Sequence, residues 1–152
     1  MAITNDPWSS GSTISHKYSE IYQNDNATET SITTVDVWEQ VVNFTSGLLL
    51  GWTHSAGSLT AATGSSGIYS LVASISSSAT SINKDFEFGI SINDTIQAKS
   101  ISKRRYSSSD TGSQSVSCLL TIADGDIIKL EVRNLTDATN VTIIDCNVCL
   151  KK

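Results

Sequence analysis

Charge is scarce in this sequence: Asp, Glu, Lys and Arg make up 16% of its 152 residues, where soluble domains carry roughly 25%. What charge there is sums to −5, so no broad basic field exists to draw in a phosphate backbone, and general nucleic-acid binding is disfavoured. No apolar run approaches the roughly 20 residues that span a bilayer, and Met1 to Ile14 lack both a cationic start and an apolar core. Neither membrane insertion nor an export signal is expected. The three cysteines, Cys118, Cys146 and Cys149, are too few and odd in number for a disulfide scaffold. The two histidines, His16 and His54, belong to no HxxxH, HExxH or Cys/His spacing, so no metal site and no cofactor is expected.

Serine and threonine take the place of the missing charge. They supply 43 residues, which favours strands, turns and hydroxyl-lined surfaces over helices rich in Ala, Glu, Lys and Leu. The length suits one domain with a genuine core and not two. Residues 1–15 are polar, hold the only proline, Pro7, and show no sustained period. They read as a flexible arm ahead of a single domain at 16–152. Five Asn-x-Ser/Thr triplets, at Asn26, Asn43, Asn93, Asn134 and Asn140, look like glycosylation acceptors. In so hydroxyl-rich a chain, chance accounts for several.

Beyond the arm, strand-like segments recur between clusters of Gly, Asn, Asp and Ser, as in a sandwich or closed barrel. In Gly67 to Ser78, Tyr69, Leu71, Ala73 and Ile75 alternate with Ser70, Ser74 and Ser76. Phe86, Phe88, Ile90 and Ile92 form a second row, and Asn93-Asp94 predicts a tight turn into a strand over Thr95 to Ser102. Val116, Cys118, Leu120 and Ile122 make a third, ended by Asp124-Gly125-Asp126, and Ile128, Leu130 and Val132 follow. Lys17 to Gln23, Val35 to Val42, Leu48 to Trp52 and Ser58 to Ala62 fit less regular strands.

Some strands are apolar on both faces. Strict alternation from Val141 to Leu150 puts Val141 and Ile143 on one face and Ile144, Cys146, Val148 and Leu150 on the other. Ile68 and Val72 oppose the Tyr69 row, and Leu119 does the same beside Cys118 and Leu120. A sandwich strand needs one apolar face for its core, so the second must be covered by another copy of the chain or by a segment of the same chain. The CxxC spacing of Cys146 and Cys149 falls in the last of these strands, where residues three apart point to opposite faces. Without a helix N-terminus or converging ligands, the thiols read as structural.

Catalytic signatures are missing: no Gly-x-Ser-x-Gly elbow before a helix, no convergent carboxylate pair, no phosphate loop. Asp124-Gly125-Asp126 reads as turn chemistry rather than a weak calcium site. The one compact positive patch is Lys103-Arg104-Arg105-Tyr106. It reads either as a solvated strand end that discourages edge pairing or as a contact for an anionic glycan or envelope polymer, with arginine forks on carboxylate or phosphate and tyrosine stacked on a sugar. Trp52 with His54 is a second surface candidate, although large aromatics in strands more often belong to the core.

The order of segments resembles jelly-roll heads of the C1q and tumour-necrosis-factor type. The resemblance is carried by Tyr18-Ser-Glu-Ile-Tyr22, Asn24-Asp-Asn-Ala-Thr28, Trp38-Glu-Gln-Val41, Gly67-Ile-Tyr69, Asn93 in its turn, Asp124-Gly125-Asp126 leading into Val132, and a closing strand. It covers roughly residues 16 to 151 and, in its Ser/Thr-rich strands, is most like modules of bacteriophage tail fibres, spikes and virion proteins. It implies an all-β, ten-stranded antiparallel jelly-roll sandwich of two five-stranded sheets. It also implies a homotrimer in which the first, third, sixth and last strands face the threefold axis. Tyr18, Tyr22, Ile68, Val72, Leu119, Val141 and Ile143 would then line the subunit contact. No collagen or coiled-coil stalk and no family calcium ligands can be placed.

The resulting expectation is a non-catalytic trimeric head of a phage or virus-like particle, structural or receptor-contacting. Its partners would be its own copies and a cell-surface glycan or envelope polymer. The alternatives are a freestanding carbohydrate-binding or adhesion module and, further off, a small hydrolase with an unrecognised site.

Overall fold

The computed structural model describes residues 16–107 and 110–152, which excludes the N-terminal arm expected at 1–15. The strands in chain order are β1 (Tyr18–Gln23), β2 (Glu29–Thr30), β3 (Glu39–Gln40), β4 (Thr45–Leu50), β5 (Trp52–Ser55), β6 (Ser58–Ala61) and β7 (Gly67–Ala79). They continue as β8 (Lys84–Ile92), β9 (Thr95–Ile96), β10 (Ser102–Tyr106), β11 (Gly112–Ile122), β12 (Ile127–Asn134) and β13 (Val141–Lys151). Three of these are two-residue bridges. The other ten form two antiparallel five-stranded sheets, ordered β11-β7-β13-β1-β4 and β10-β8-β12-β6-β5. The segments of Tyr18, Tyr69, Leu119 and Val141 share the first sheet, as the resemblance implies.

The core lies between the sheets, where the alternating rows meet. Tyr69, Leu71, Ala73 and Ile75 of β7 face Phe86, Phe88 and Ile90 of β8 and Ile128, Leu130 and Val132 of β12, all buried. Each such side chain contributes about 1.5–3 kcal/mol by leaving water. The two buried tyrosines find partners for their hydroxyls: Tyr69 donates to the Ser65 carbonyl at 2.7 Å, and Tyr106 shares a hydrogen bond with the Ser77 hydroxyl. Trp52 meets Tyr69 edge to face at 5.2 Å, and Phe86 meets Tyr106 likewise at 5.5 Å.

Turn chemistry decides where strands stop. Asn93 and Asp94 both adopt positive φ, 50° and 62°, and make the tight β8–β9 hairpin expected of them. The strand expected over Thr95 to Ser102 is interrupted, because Ala98–Ser100 form a 3₁₀ turn before β10. Gly51, at φ 81°, splits Leu48 to Trp52 between β4 and β5. Of Val35 to Val42 only Glu39–Gln40 pairs, with β12, and Asp36 at φ 63° turns the chain out of extended geometry. Ala56 and Gly57, at φ 47° and 79°, form the β5–β6 turn. Alanine carries left-handed strain of about 1–2 kcal/mol. Ala56→Asn should therefore stabilise the fold by about 0.5–1 kcal/mol, seen as a melting temperature raised by roughly 2–3 °C.

The 31–44 excursion covers the outward side of the second sheet over β8 and β12. Trp38 lies over Gly89, where a β-carbon would come within 3.2 Å of the ring. The Arg133 guanidinium stacks on Trp38 at 4.6 Å while binding Glu87 at 2.7 Å and Asp36 at 2.7 Å. Asp124-Gly125-Asp126 works as a turn, as its composition suggests. The Asp124 carboxylate accepts the N–H groups of Gly64, Ser65 and Ser66 and the Ser66 hydroxyl at 2.7–2.8 Å. The Gly64 N–H and the Ser66 hydroxyl foremost hold its pKa down at about 2, against an ordinary 3.8. Asp137, beside Lys84, is likewise held at about 2. With folded values depressed, both carboxylates stabilise the fold fully above about pH 4 and lose that contribution as pH falls toward 2. Asp124→Asn should flatten the acid-unfolding curve in that window, and circular dichroism against pH reads it.

Candidate functional site

With the centre of the second sheet covered by its own chain, the outward side of the first sheet carries the open apolar surface. Its residues fall in rows across β11, β7, β13, β1 and β4. Leu119, Ser70, Lys151, Tyr18 and Leu50 make one row, and Ser117, Val72, Cys149 and Glu20 the next. Ile68 lies diagonal to Leu119 at the β7 start, and Leu48 extends the patch on β4. Leu48 is 69% exposed, Ile68 64% and Leu119 60%, with Leu50, Val72 and Tyr18 partly exposed.

These side chains form two apolar margins. Leu119, Ile68 and Val72 occupy the β11/β7 edge, and Tyr18, Leu48 and Leu50 occupy the β1/β4 edge. Between them β13 presents Lys151, Cys149 and Asn147. Glu20 sits at the centre, accepting from the Asn147 amide at 2.7 Å and lying over Gly47. Gly47 leaves room for that carboxylate, since a β-carbon there would fall 2.4 Å from Glu20 Oε2.

Two residues expected on this face are elsewhere. Val141 and Ile143 are 0% exposed and belong to the core. The reason is a β-bulge: the register of β13 against β7 shifts between Ile143 and Asp145. One extra residue resets the alternation, so Val141, Ile143, Cys146, Val148 and Leu150 all point inward and the closing strand is apolar on one face only. The backbone carbonyls of Ile143 and Ile144 at the bulge are taken by Asn26, through its amide at 2.7 Å and its N–H at 2.9 Å. Leu48 and Leu50, not singled out in the sequence, take their place on the open face. The run Gly47-Leu-Leu-Leu50 carried the signal, but its parity is also set by a register shift, in β1–β4 pairing.

Cys146 and Cys149 do face opposite sides. Burial pushes the Cys146 thiol up to about 12. Cys149, half-buried on the outward side, is raised by desolvation and by the adjacent Glu20 carboxylate.

The cationic strand dissolves as a unit. Tyr106 is 2% exposed and part of the core, so it cannot stack on a sugar. Arg104 lies over its ring at 5.1 Å and donates to the Ser113 carbonyl at 2.8 Å. Only Lys103 and Arg105 project outward, and both sit within 4 Å of Asp85. The alternation of β10 thus sends the four side chains to two faces. Trp52 is buried, and His54 bridges the Ser46 hydroxyl and the Gly57 N–H. Among the described residues no cluster of His, Cys, Asp and Glu could hold a metal ion, and no helix is long and apolar enough to cross a membrane.

No protein-family model matches the sequence, and no curated protein matches it. Solved structures do. Murine APRIL in its crystal structure at pH 5.0 is similar over 90% of this chain and 100% of its own, with a TM-score of 0.63 and 14% identity. The fold is a C1q/TNF-type jelly roll. Vertex protein P5 of phage PRD1 superposes with a TM-score of 0.61 at 14% identity, covering 90% of this chain and 96% of its own. The globular domain of the zebrafish complement 1qA protein gives 0.59 at 14% identity, over 90% and 95%. At such identity the jelly roll itself is what is shared, and the open face of the first sheet must speak for this chain.

Proposed function

We propose that this chain is a non-catalytic head that assembles into a homotrimer on a phage or virus-like particle, where it serves a structural or receptor-contacting role. One observation carries the assembly: apolar margins lie on opposite edges of one sheet, uncovered by the described chain. Opposite patches on one subunit suit a head-to-tail contact, Leu119, Ile68 and Val72 of one copy against Tyr18, Leu48 and Leu50 of the next, which closes into a ring when the rotation allows. Exposed apolar area of this kind marks an interaction site. Three copies then present their loops as a trivalent surface, and weak contacts gain by effective concentration.

Placement on a particle is supported by the shared fold of the phage vertex protein and by a face built for assembly rather than chemistry. An antibody raised against the purified chain should decorate intact particles in negative stain. Label confined to the cell envelope, with bare particles, would favour a freestanding adhesion module instead.

A further inference from the structure

At the opposite end of the same open face, four residues along β1 from Tyr18, the surface changes character. An open groove of about 680 Å³ crosses β1, β13, β7 and β11, within the roughly 300–1,000 Å³ of small-molecule sites. Its outward side chains are Tyr22, Asn147, Asp145, Ser74, Ser76 and Ser113. The β13 bulge puts Asp145 there, and the turn after β1 is tied to it by the Asp25 N–H, 3.0 Å from Asp145 Oδ1.

We infer that this groove binds a neutral saccharide, a hexopyranose unit of a surface glycan. Three observations carry the assignment. Among the described residues, the hydroxyls of Tyr22, Ser74, Ser76 and Ser113 bond to no group of the protein, so donors and acceptors stand ready along the floor. Only one lining residue is charged, Asp145, which repels an anionic ligand and supplies a strong acceptor for a sugar hydroxyl. Tyr22 holds a partly exposed ring at the groove wall, and an aromatic body with a polar tip suits the C–H face of a pyranose. The site therefore lies away from the cationic strand, whose tyrosine is buried. It is built by a single subunit at the end of the face away from the apolar margins proposed as the subunit contact, so Tyr22, which the resemblance would put in that contact, lines the groove instead.

The test uses the methyl glycosides of glucose, galactose, mannose and N-acetylglucosamine, with glucuronate as the anionic comparison, added at millimolar concentration to the labelled protein and followed by amide NMR shifts. At least one neutral glycoside should saturate shifts at Tyr22, Ser74, Ser76 and Asn147, and glucuronate should not. Tyr22→Ala should weaken that binding about tenfold or more, equivalent to about 1.4 kcal/mol. Ser74→Phe, which fills the groove from an exposed position, should abolish it while the remaining spectrum stays folded. Lys103→Ala with Arg105→Ala should leave it unchanged, and Leu119→Glu should keep it whether or not that chain self-associates. Silence with all four glycosides, preference for glucuronate, shifts centred on Lys103 and Arg105, or full affinity in Tyr22→Ala and Ser74→Phe would each overturn the assignment.

Discussion

Leu119→Glu should leave the chain folded and reduce its mass in light scattering from three copies to one. The position is outward and exposed in a lone subunit, so the carboxylate costs the isolated fold little, whereas association would bury it against apolar side chains. That penalty of about 3 kcal/mol or more weakens the contact by roughly 10²-fold. Leu48→Glu, on the opposite margin, should do the same. The pair is most informative when mixed. Leu119→Glu chains keep an intact β1/β4 margin and Leu48→Glu chains keep an intact β7/β11 margin, so one sound contact forms between them. The mixture should show a mass of two chains, whereas a twofold, self-complementary contact would show no recovery on mixing.

Val141→Glu should behave in the opposite way. Its site is fully buried, beside Ala79 and Thr30 in the pairing of β13. An unpaired charge there costs at least about 4 kcal/mol, a large share of the 5–15 kcal/mol that holds an average domain together. The variant should be unfolded or strongly destabilised, seen as loss of the cooperative thermal transition, rather than folded and monomeric. A folded single chain from Val141→Glu would mean that the bulge at Ile144 is misplaced and that this strand has two apolar faces after all.

The contrast between these two substitutions shows what the sequence could reveal. Period-two alternation located the β7, β8, β11 and β12 cores correctly, because a run of Tyr69, Leu71, Ala73 and Ile75 admits one register. Parity also identified Ile68, Val72 and Leu119 as residues left over on the far side. The same parity failed in β13, since one bulged residue is invisible to a pattern count and reverses every side chain on one side of it. The run Leu48 to Leu50 in β4 offers no alternation to count, and a register shift against β1 sends Leu48 and Leu50 outward. The cationic strand misled for a different reason: four adjacent residues look like one patch in a line of text, but a strand sends alternate members to opposite faces, and Tyr106 went to the core. The groove was out of reach of the sequence. Its residues come from four strands and converge through pairings such as Ser74 with Asn147 and Ser113 with Ser76, which are long-range and carry no local signal.

The covering of the second sheet also has a cause in particular residues. Gly89 lets Trp38 approach, and Arg133 fastens it by stacking on the ring and bridging Glu87 and Asp36. The centre of that sheet's far side, over β8 and β12, is therefore closed within the subunit, while Lys103 and Arg105 of β10 stay exposed. No comparable anchor among the described residues lies over Ile68, Leu119 or Leu48, and on the proposed reading sister chains are the cover.

The mass of the unaltered protein tests this most directly. Sedimentation equilibrium over a wide concentration range should return three times the 16.2 kDa of one chain, with dissociation only at high dilution. A mass of one chain at every concentration, with Leu48, Ile68 and Leu119 nonetheless protected from solvent, would show that the chain covers its own apolar margins, and would contradict the account.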